Sequence, residues 1–280
     1  MRFGGDFAPV SDSSALVHSN SGKREMNHSL RGDLAGRAKV LLDLHRPGDP
    51  VVLPTVWDVW SAQVAADAGF AALTVGSKPL AHSMGKTNHE GMQFEDVLGR
   101  VGQITAAVDI PVSVDVESCY GVSADRMIGR LLEAGAVGLN VEDTVHSEEG
   151  RLRTSAEQAE LVAALRTASD KSGVHMVLNA RTDVILHQLG DESDRVERAI
   201  ARLRDAADAG ADCLYPIGLH DEDTHRRLAA ELPLPVNAVV RPDKHDLTVL
   251  AALGIARISF GPFLQTALTA RMQDILKRWG

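Results

Sequence analysis

The sequence predicts an α/β fold, a (β/α)8 TIM barrel, from three observations. A short β-branched run, a loop and an amphipathic helical pattern follow one another repeatedly after Arg31. A turn of small residues recurs where a helical pattern meets the next apolar run, as in DAGFAALTV, EAGAVGLNVE, DAGADCLYP and ALGIARISF. Eight such units fit into about 250 residues, which is the usual length of this barrel.

Eight apolar runs are the predicted barrel strands. In chain order they are residues 51–53, 71–75, 112–116, 137–141, 175–179, 213–215, 236–238 and 257–259. Helical patterns lie between them, for example FEDVLGRVGQITAAV, ADRMIGRLLEAG and SAEQAELVAALRTAS. The glycine of each recurring turn stands where a helix ends and a buried parallel strand begins, as a helix C-cap requires. A doubly wound open sheet ranks lower, because no glycine-rich dinucleotide turn follows the first strand.

The composition indicates one large domain. The chain has 280 residues and is 44% hydrophobic, which is enough for a full core. Residues 1–30 are rich in Ser, Gly and Asn, so we expect a mostly disordered N-terminal extension. Residues 31–280 then form the single barrel domain, including a C-terminal helix. With only Cys119 and Cys213 there is no disulfide framework, and a cytoplasmic location is expected.

Charge and hydropathy exclude two classes of partner. The net charge is -9 at pH 7 and the pI is near 5.6, so no basic stripe is available for nucleic acid. No apolar run approaches the roughly 20 residues that a bilayer requires, and the N-terminus lacks the order of a signal peptide. The expected partner is therefore a small molecule.

Polar residues follow the predicted strands at the end where a barrel places its chemistry. Asp115 and Glu117 end the third strand, and since they are two residues apart we expect them to share a face. With Glu142 from the fourth strand they form a predicted cluster of three carboxylates, which requires a cation between them. Oxygen ligands favour a hard ion, so the sequence predicts Mg²⁺ or Mn²⁺, bound directly or through water. Arg181 is predicted to bind a substrate carboxylate or phosphonate.

Other interpretations of these residues stay open. Asp115 and Glu117 also fit ion-paired structural acids or helix N-caps. Asp143 and Asp183 fit loop-orienting roles better than metal binding, and Cys119 fits a buried thiol better than a reactive one. Three histidines on the presumed top loops are candidates for proton transfer: His82, His89 and His146. Three others are interpreted as solvated positions: His187, His220 and His225.

Six segments, taken together and in order, carry a family resemblance: LPTVWDVWSA, DVESCYG, LNVED, LNARTD, PVNAVV and LGIARISFGP. They resemble the isocitrate lyase and phosphoenolpyruvate mutase superfamily, in particular its short phosphonomutase-like members, over about residues 35–280. The resemblance implies a barrel whose last helix is often exchanged between subunits, giving a homo-oligomer, a dimer or tetramer. It also implies a Mg²⁺-dependent site that handles a 2-oxo acid or its enolate.

The resemblance also implies roles for individual residues. Asp115 and Glu117 match the metal-binding acids, Glu142 matches the acid of the ED pair, and Arg181 matches the arginine of NAR. Ser77 and the amides around it match a carboxylate-binding turn. The predicted substrate-binding residues are Trp57, Ser77, Lys78, Tyr120, Gly121, Arg181 and Asn237. The predicted catalytic residues are Arg181, Glu142, His146, Asn88 and His89.

Two departures from the family pattern affect the predicted chemistry. Members that cleave isocitrate or methylisocitrate carry a K[KR]CGH loop with a cysteine acid, whereas this chain reads EDTVHSEEGRLRTS there. A Cys-dependent isocitrate or methylisocitrate lyase is therefore not expected, and His146, Glu148 or Glu149 are the candidate replacements. In SKPLAHSMGKTNHEGM, Asn88 stands where relatives have an acid. Either this position is neutral in the predicted site, or His89 and Glu90 have taken the role of the acid.

Three functional hypotheses follow. The first is a Mg²⁺-dependent lyase or phosphonomutase-type enzyme that makes or breaks a C–C or P–C bond in a small 2-oxo or 2-hydroxy carboxylate. The second is an oxaloacetate-type decarboxylase or a phosphonopyruvate-type hydrolase, which needs the same enolate stabilisation with a different proton donor. The third is a barrel that binds a metabolite without catalysis.

Overall fold

The computed structural model describes residues 33–280, so the predicted extension at residues 1–30 lies outside the described residues. The helices are α1 (33–43), α2 (Val59–Asp67), α3 (Ser77–Ser83), α4 (Phe94–Thr105), α5 (Ala124–Glu133), α6 (Ser155–Ser172), α7 (Arg195–Asp208), α8 (Glu222–Glu231), α9 (Leu247–Ala252) and α10 (Phe263–Leu276). The strands are β1 (Val51–Leu53), β2 (Thr55–Val56), β3 (Leu73–Val75), β4 (Val112–Asp115), β5 (Gly138–Val141), β6 (Thr144–Val145), β7 (Arg151–Leu152), β8 (Val177–Thr182), β9 (Cys213–Pro216), β10 (Asn237–Val239) and β11 (Arg257–Ser259). Within residues 33–280, no helix is both long enough and apolar enough to cross a membrane.

The strands close into one parallel barrel. One parallel sheet runs in the order β2-β3-β4-β5-β8-β9, and a second runs in the order β1-β11-β10. β1 and β2 are two stretches of the same barrel strand, separated only by Pro54. At the other seam Leu214 pairs with Val236, which joins β9 to β10 and completes the ring. This confirms the predicted barrel, with β6 and β7 as a small antiparallel hairpin outside it.

The recurring glycine turns are confirmed as the helix ends that feed the strands. The four glycines have φ values between +83° and +104°, a region that costs other residues strain: Gly69, Gly135, Gly210 and Gly254. Each of these turns is followed within a few residues by a buried strand, so the local pattern positions the chain for the next step around the ring.

Two predicted strand boundaries differ from the structure in a way that affects the site. The third strand ends at Asp115, because the chain turns at Glu117, which has a left-handed φ of +49°. The fifth strand is Val177–Thr182 rather than 175–179. It extends to Thr182 because Arg181 and Thr182 pair with residues of β9, a long-range contact that local propensity does not report. Arg181 therefore lies inside a strand that is paired on both sides.

A polar layer crosses the interior of the barrel among its apolar strands. Asn179 Nδ2 donates to Asn140 Oδ1 at 2.8 Å and to Asn237 Oδ1 at 3.1 Å. Asn237 Nδ2 in turn donates to Ser259 Oγ at 3.2 Å, and the fully buried Arg257 donates to Asn140 Oδ1 at 3.0 Å. These mutual bonds satisfy buried polar groups that would otherwise be costly. They also place Asn237, a predicted substrate-binding residue, in the barrel interior.

The buried His45 connects this polar layer to the segment that precedes β1. Its Nδ1 donates to the Leu41 carbonyl at 2.7 Å, and its Nε2 lies 3.4 Å from Arg257 Nη1, which has only protons to donate. Burial, and then the charge of Arg257, lowers the pKa of His45 to about 3. The folded protein therefore keeps this imidazole neutral where an exposed histidine would take up a proton.

We expect His45 to make the protein acid-sensitive. Its folded-state pKa lies below the unfolded value near 6.5, so its contribution to stability is complete above pH 6.5 and is lost as the pH falls toward 3. The slope attributable to His45 is about 1.4 kcal/mol per pH unit in the middle of that window. His45→Gln, which can donate and accept in the same directions, should remove this slope. Urea unfolding between pH 7.5 and 5 measures it, and equal slopes for both proteins would contradict the assignment.

Candidate functional site

A cavity of about 330 Å³ opens at the carboxyl ends of the barrel strands. Its polar lining consists mainly of residues that follow strands two to five of the ring: Ser77, Lys78, Asn88, His89, Asp115, Asn140, His146, Arg181 and His187. Most of the predicted site residues are therefore brought together at one mouth. Glu117 and Glu142 lie directly behind this lining, in contact with His146 and Arg181.

Arg181 is the positive centre of the site. Its Nη1 lies 2.6 Å from Glu142 Oε2 and 3.6 Å from Asp115 Oδ2, while its Nε donates to Asp183 Oδ1 at 2.7 Å. The side chain is 11% exposed, so these charges interact with little screening by solvent. The acids hold the pKa of Arg181 well above its usual value despite its burial. Arg181 thus neutralises acids from three strand ends and still lines the cavity.

Two buried acids behind Arg181 hold the loops rather than line the cavity, as the sequence predicted. Asp183 accepts a hydrogen bond from Thr144 Oγ1 at 2.6 Å. Asp143 accepts from Thr182 Oγ1 at 2.6 Å, from the Asp183 amide at 2.9 Å and from Arg202 Nε at 2.9 Å. These bonds join the ends of strands four and five, so the direction of Arg181 is set by its surroundings.

The segment after Asp115 is a tight turn, not a continuation of the strand. The expectation that Asp115 and Glu117 share a face through strand alternation is therefore wrong, because Glu117, Cys119 and Tyr120 all have positive φ values. The two acids are nevertheless adjacent, since the Glu117 amide donates to Asp115 Oδ1 at 3.1 Å. Cys119 is buried, and burial raises the pKa of its thiol to about 12, as expected for an inert residue.

Glu90 fixes this turn from the opposite side of the mouth. Its carboxylate Oε1 accepts hydrogen bonds from Ser118 Oγ and from the Tyr120 amide, both at 2.6 Å. The Glu90 amide donates to Glu117 Oε2. The loop that carries Asn88 is thereby tied to the loop that carries Glu117, and Glu90 acts as the bridge between them.

The carboxylates carry more negative charge than Arg181 balances. Burial, followed by the charges of Asp115 and Glu142, raises the pKa of Glu117 to about 8. Burial also raises the pKa of Glu142, although Arg181 and the hydrogen bond with His146 oppose this. Glu117 Oε1 is buried without a hydrogen-bond partner among the described residues, so on this side of the cluster an oxygen is available as a ligand for a cation.

His146 lies against this carboxylate cluster. Its Nε2 bonds to Glu142 Oε1 and lies 4.0 Å from Glu117 Oε2. Burial lowers the pKa of His146, but the Glu142 hydrogen bond and the charges of Glu142, Glu117 and Glu90 outweigh burial and raise it overall. The ring of His89 stacks on His146 with centroids 4.7 Å apart, and burial together with the nearby positive groups lowers the pKa of His89. The pair offers one imidazole that favours the charged form and one that favours the neutral form.

The donor set is compatible with a hard cation held partly through water. Glu117 Oε1 and Asn88 Oδ1 are among the buried oxygens of the described residues that lack a hydrogen-bond partner, and the surrounding donors are carboxylates rather than thiolates. In the described part of the chain, no three His, Cys, Asp or Glu side chains converge as direct ligands of one metal ion. Direct and water-mediated ligation, both left open by the sequence, stay predictions.

Four predicted substrate-binding residues do not line the cavity. Trp57 is buried beneath the first loop, and Asn237 belongs to the interior polar layer. Tyr120 packs against Phe94, with ring centroids 5.6 Å apart, and Gly121 has a left-handed φ of +65°. The roles of these four residues in substrate binding stay predictions.

Sequence reasoning missed the apolar part of the lining and one histidine. Apolar side chains from the second half of the ring line the cavity: Leu186, Ile217, Leu219, Val239 and Phe263. His187, interpreted as solvated, also lines it and lies 3.8 Å from Asp183. The available signal was positional, because all of these residues end a barrel strand or follow one within a few positions.

Comparisons with known proteins agree with this architecture. The family model for phosphoenolpyruvate phosphomutase matches residues 41–279. The phosphoenolpyruvate phosphomutase of Streptomyces hygroscopicus is 31% identical over 259 residues, which is 87% of this chain and 79% of that protein. The oxaloacetate decarboxylase of Chromohalobacter salexigens is 29% identical over 237 residues, covering 80% of this chain and 78% of that protein. A solved structure assigned as a phosphonomutase, from Burkholderia cenocepacia J2315, is 38% identical with a TM-score of 0.82, covering 86% of this chain and 99% of its own.

The matched region contains every barrel strand and every residue that lines the cavity. The resemblance predicted from the six sequence segments is confirmed, and so is the enzyme class, since the relatives are lyases and mutases. The chain belongs to the phosphoenolpyruvate phosphomutase family.

Proposed function

We propose that this protein is a Mg²⁺-dependent lyase or phosphonomutase-type enzyme that acts on a small 2-oxo or 2-hydroxy carboxylate through an enolate. One observation carries the proposal: the carboxylates of Asp115 and Glu142 contact a single buried guanidinium at the mouth of the barrel, and Glu117 lies beside them, with its amide bonded to Asp115 and its carboxylate 4.0 Å from His146. Arg181 balances Asp115 and Glu142, whereas Glu117 keeps one buried oxygen without a partner. A divalent cation would complete this charge balance.

Asp115, Glu117 and Glu142 are the residues that would hold Mg²⁺ or Mn²⁺, in part through water, with the amide oxygen of Asn88 beside them. When bound, the ion stabilises the negative oxygen of an enolate, the species formed as a bond next to a carbonyl breaks. Arg181 supplies a second positive charge at the same place and orients the substrate. Both interactions strengthen as charge develops on the enolate, which is what lowers the barrier.

The start of α3 is the proposed site for the substrate carboxylate. Ser77 and Lys78 line the cavity there, and Ser77 Oγ donates to Asp115 Oδ2 at 3.1 Å. Gly76 allows this close approach, because a Cβ atom at that position would lie 2.5 Å from Thr55 Cγ2. The turn therefore brings hydroxyl and ammonium donors next to the proposed metal acids.

His146 is the proposed proton-transfer group in place of the cysteine acid of some relatives. It lines the cavity, touches Glu142 and stacks on His89, whereas Glu148 and Glu149 are exposed and lie away from the lining. Asn88 and His89 contribute to the same edge of the cavity and are proposed to position the substrate.

An oxaloacetate-type decarboxylase or phosphonopyruvate-type hydrolase is the alternative reaction for the same site. The decarboxylase of Chromohalobacter salexigens, a relative at 29% identity, favours keeping it. Both reactions pass through the same enolate, so the products separate them. Decarboxylation gives carbon dioxide and a 2-oxo acid, whereas a lyase gives an aldehyde or a second acid, and hydrolysis gives phosphate.

We also propose that the protein assembles as a homo-oligomer in which α10 packs on a neighbouring subunit. No residue of α10 is buried within the described chain, although it carries large apolar side chains. Those on α10 and just after it are Leu268, Met272, Ile275, Leu276 and Trp279, and the last is 86% exposed. A contiguous apolar helix face of this kind is typical of an interface.

Asp115→Asn tests the proposed reaction. It keeps the side-chain shape and removes the charge, so we expect at least 100-fold less turnover and more than tenfold weaker Mg²⁺ binding, with folding retained. Proton and phosphorus NMR with oxaloacetate, phosphonopyruvate, phosphoenolpyruvate, 2-methylisocitrate and dimethylmalate identifies the products, and calorimetry measures the metal. Asp109→Asn, an exposed acid, is the matched control and should leave both unchanged. Metal-dependent turnover by Asp115→Asn equal to that of the parent protein would contradict the proposal.

Arg181→Gln tests the charge balance. Removing the guanidinium leaves Glu142 and Asp183 buried without their partner, and we expect a loss of about 3–5 kcal/mol in the free energy of unfolding at pH 8. Arg181 holds down the pKa of Glu142, which burial raises, so this pKa would rise further in the folded variant, and lowering the pH to 6 should restore part of the loss. Urea denaturation at both pH values measures it. A variant as stable as the parent at pH 8 would show that Arg181 is not required for this balance.

Met272→Asp with Ile275→Asp tests the assembly. Charges on the apolar face of α10 should convert the oligomer to a monomer, as measured by light scattering after size-exclusion chromatography. Arg278→Asp changes the charge near the same end of the chain outside the apolar face and serves as the control. A parent protein that is already monomeric at tens of micromolar would contradict the proposal.

A further inference from the structure

The cavity has an apolar wall, formed by Leu186, Ile217, Leu219, Val239 and Phe263. Because the strands follow one another around the ring, this wall occupies the half of the mouth built by strands five to eight. The acids and Ser77 occupy the half built by strands two to five. The site is therefore divided between a charged half and a hydrocarbon half.

The part of the wall that follows strand six is held in place by close contacts. His220 Nε2 donates to the Pro216 carbonyl at 2.7 Å, and the Ile217 amide donates to the Tyr215 carbonyl at 2.9 Å. A Cβ atom on Gly218 would lie 2.7 Å from the His220 ring and 3.3 Å from Ile185. The loop can pack this tightly because residue 218 is glycine, and the packing sets Ile217 and Leu219 on the cavity.

The part of the wall next to α10 is also fixed. The guanidinium of Arg241 lies 5.1 Å from the centre of the Phe263 ring, a distance typical of a cation–π contact. Gly261, with a φ of +50°, lies so close to Val239 that a Cβ atom would be 3.1 Å from Val239 Cγ2. Phe263 and Val239 thus form a preformed surface that a ligand meets without reorganisation.

The loops after strands six to eight offer no cation at the cavity surface to an anionic group. Among described residues, none of the cavity-lining side chains that follow these strands is Lys, Arg or His, and His187, which lines the cavity after strand five, lies 3.8 Å from Asp183. Arg181 is already engaged by three carboxylates, and Lys78 belongs to the opposite half. A carboxylate or phosphonate placed against this wall would lose its water without gaining a partner, which is costly. Hydrocarbon placed there would gain by burial, since Leu186 and Leu219 are 44% and 48% exposed.

We propose that the substrate carries an apolar side chain of several carbons, an alkyl or aryl group, on the 2-oxo or 2-hydroxy acid, and that Leu186, Ile217 and Leu219 select it. The volume of about 330 Å³ supports this, since it lies within the range of cavities that bind small-molecule ligands. This inference rests on the proposed function, because the acid end of the same substrate occupies the charged half. The proposed apolar group lies beyond the reacting carbons of the substrate, and the residues of the charged half do not define its chemistry.

A homologous series of 2-oxo acids tests the wall. Calorimetry of the full chain with Mg²⁺ and pyruvate, 2-oxobutanoate, 2-oxopentanoate and 4-methyl-2-oxopentanoate should show the Kd falling about fourfold for each added methylene. Oxaloacetate, which places a carboxylate where 2-oxobutanoate has its terminal methyl, should bind more weakly than 2-oxobutanoate. A flat series, or tighter binding of oxaloacetate, would overturn the inference.

Wall variants separate the wall from the rest of the site. Leu186→Ser with Leu219→Ser, both at half-exposed positions, should flatten the series while leaving oxalate, which has no side chain, with its Kd unchanged. Leu247→Ser, at an exposed leucine outside the cavity, is the control and should keep the full slope. If the parent protein binds oxalate in a metal-dependent way but its Kd does not change along the 2-oxo acid series, the proposed apolar selection is refuted and the proposed function stands. If neither oxalate nor any 2-oxo acid binds in a metal-dependent way, the proposed function is refuted as well.

Discussion

The charge balance around Arg181 is the constraint on which the site depends. One guanidinium contacts Glu142, Asp115 and Asp183, which come from different strand ends and would repel each other without it. Buried charges are stable only when they are paired and hydrogen-bonded, so the strand ends must keep this arrangement. Glu117 keeps one buried oxygen without a hydrogen-bond partner among the described residues, and the proposed cation site at the mouth rests on this oxygen and its neighbouring acids.

The barrel supplies the rigidity that such a charge arrangement needs. Below the acids, the amide nitrogen of Asn179 donates to both Asn140 and Asn237 across the interior, so these three polar side chains are linked inside the barrel. Behind Arg181, Asp143 and Arg202 join the loops after strands four and five. Strained φ values occur in this region, at Glu117, Cys119 and Tyr120, and the hydrogen bonds of Glu90 hold them. The hydrogen bonds of Glu90 therefore hold both the strained backbone of this turn and the position of Glu117.

The division of the cavity into a charged and an apolar half separates the two proposed tasks of the site. In the proposed reaction, enolate stabilisation depends on the acids and Arg181, which lie at the ends of strands three to five. The proposed apolar group of the substrate would meet the loops after strands five to eight, where this chain has Leu186, Ile217 and Leu219. Loops can change without disturbing the barrel, so the chemistry of the carboxylate end and the choice of substrate are separable.

The sequence by itself determined the barrel, the order of its strands and the identity of most charged site residues. These are local properties, because periodicity marks the strands, glycine marks the helix ends, and a barrel places the residues after each strand at one mouth. Only the tertiary structure decided the conformations beyond the strand ends. Glu117 departs from strand alternation because the Glu90 amide and Asp115 bind it, and Asn237 turns inward because Asn179 and Ser259 receive it there. Except for the local bond to Asp115, these contacts join residues that are about 20 to 60 positions apart in the chain. A local sequence pattern cannot predict partners at such distances.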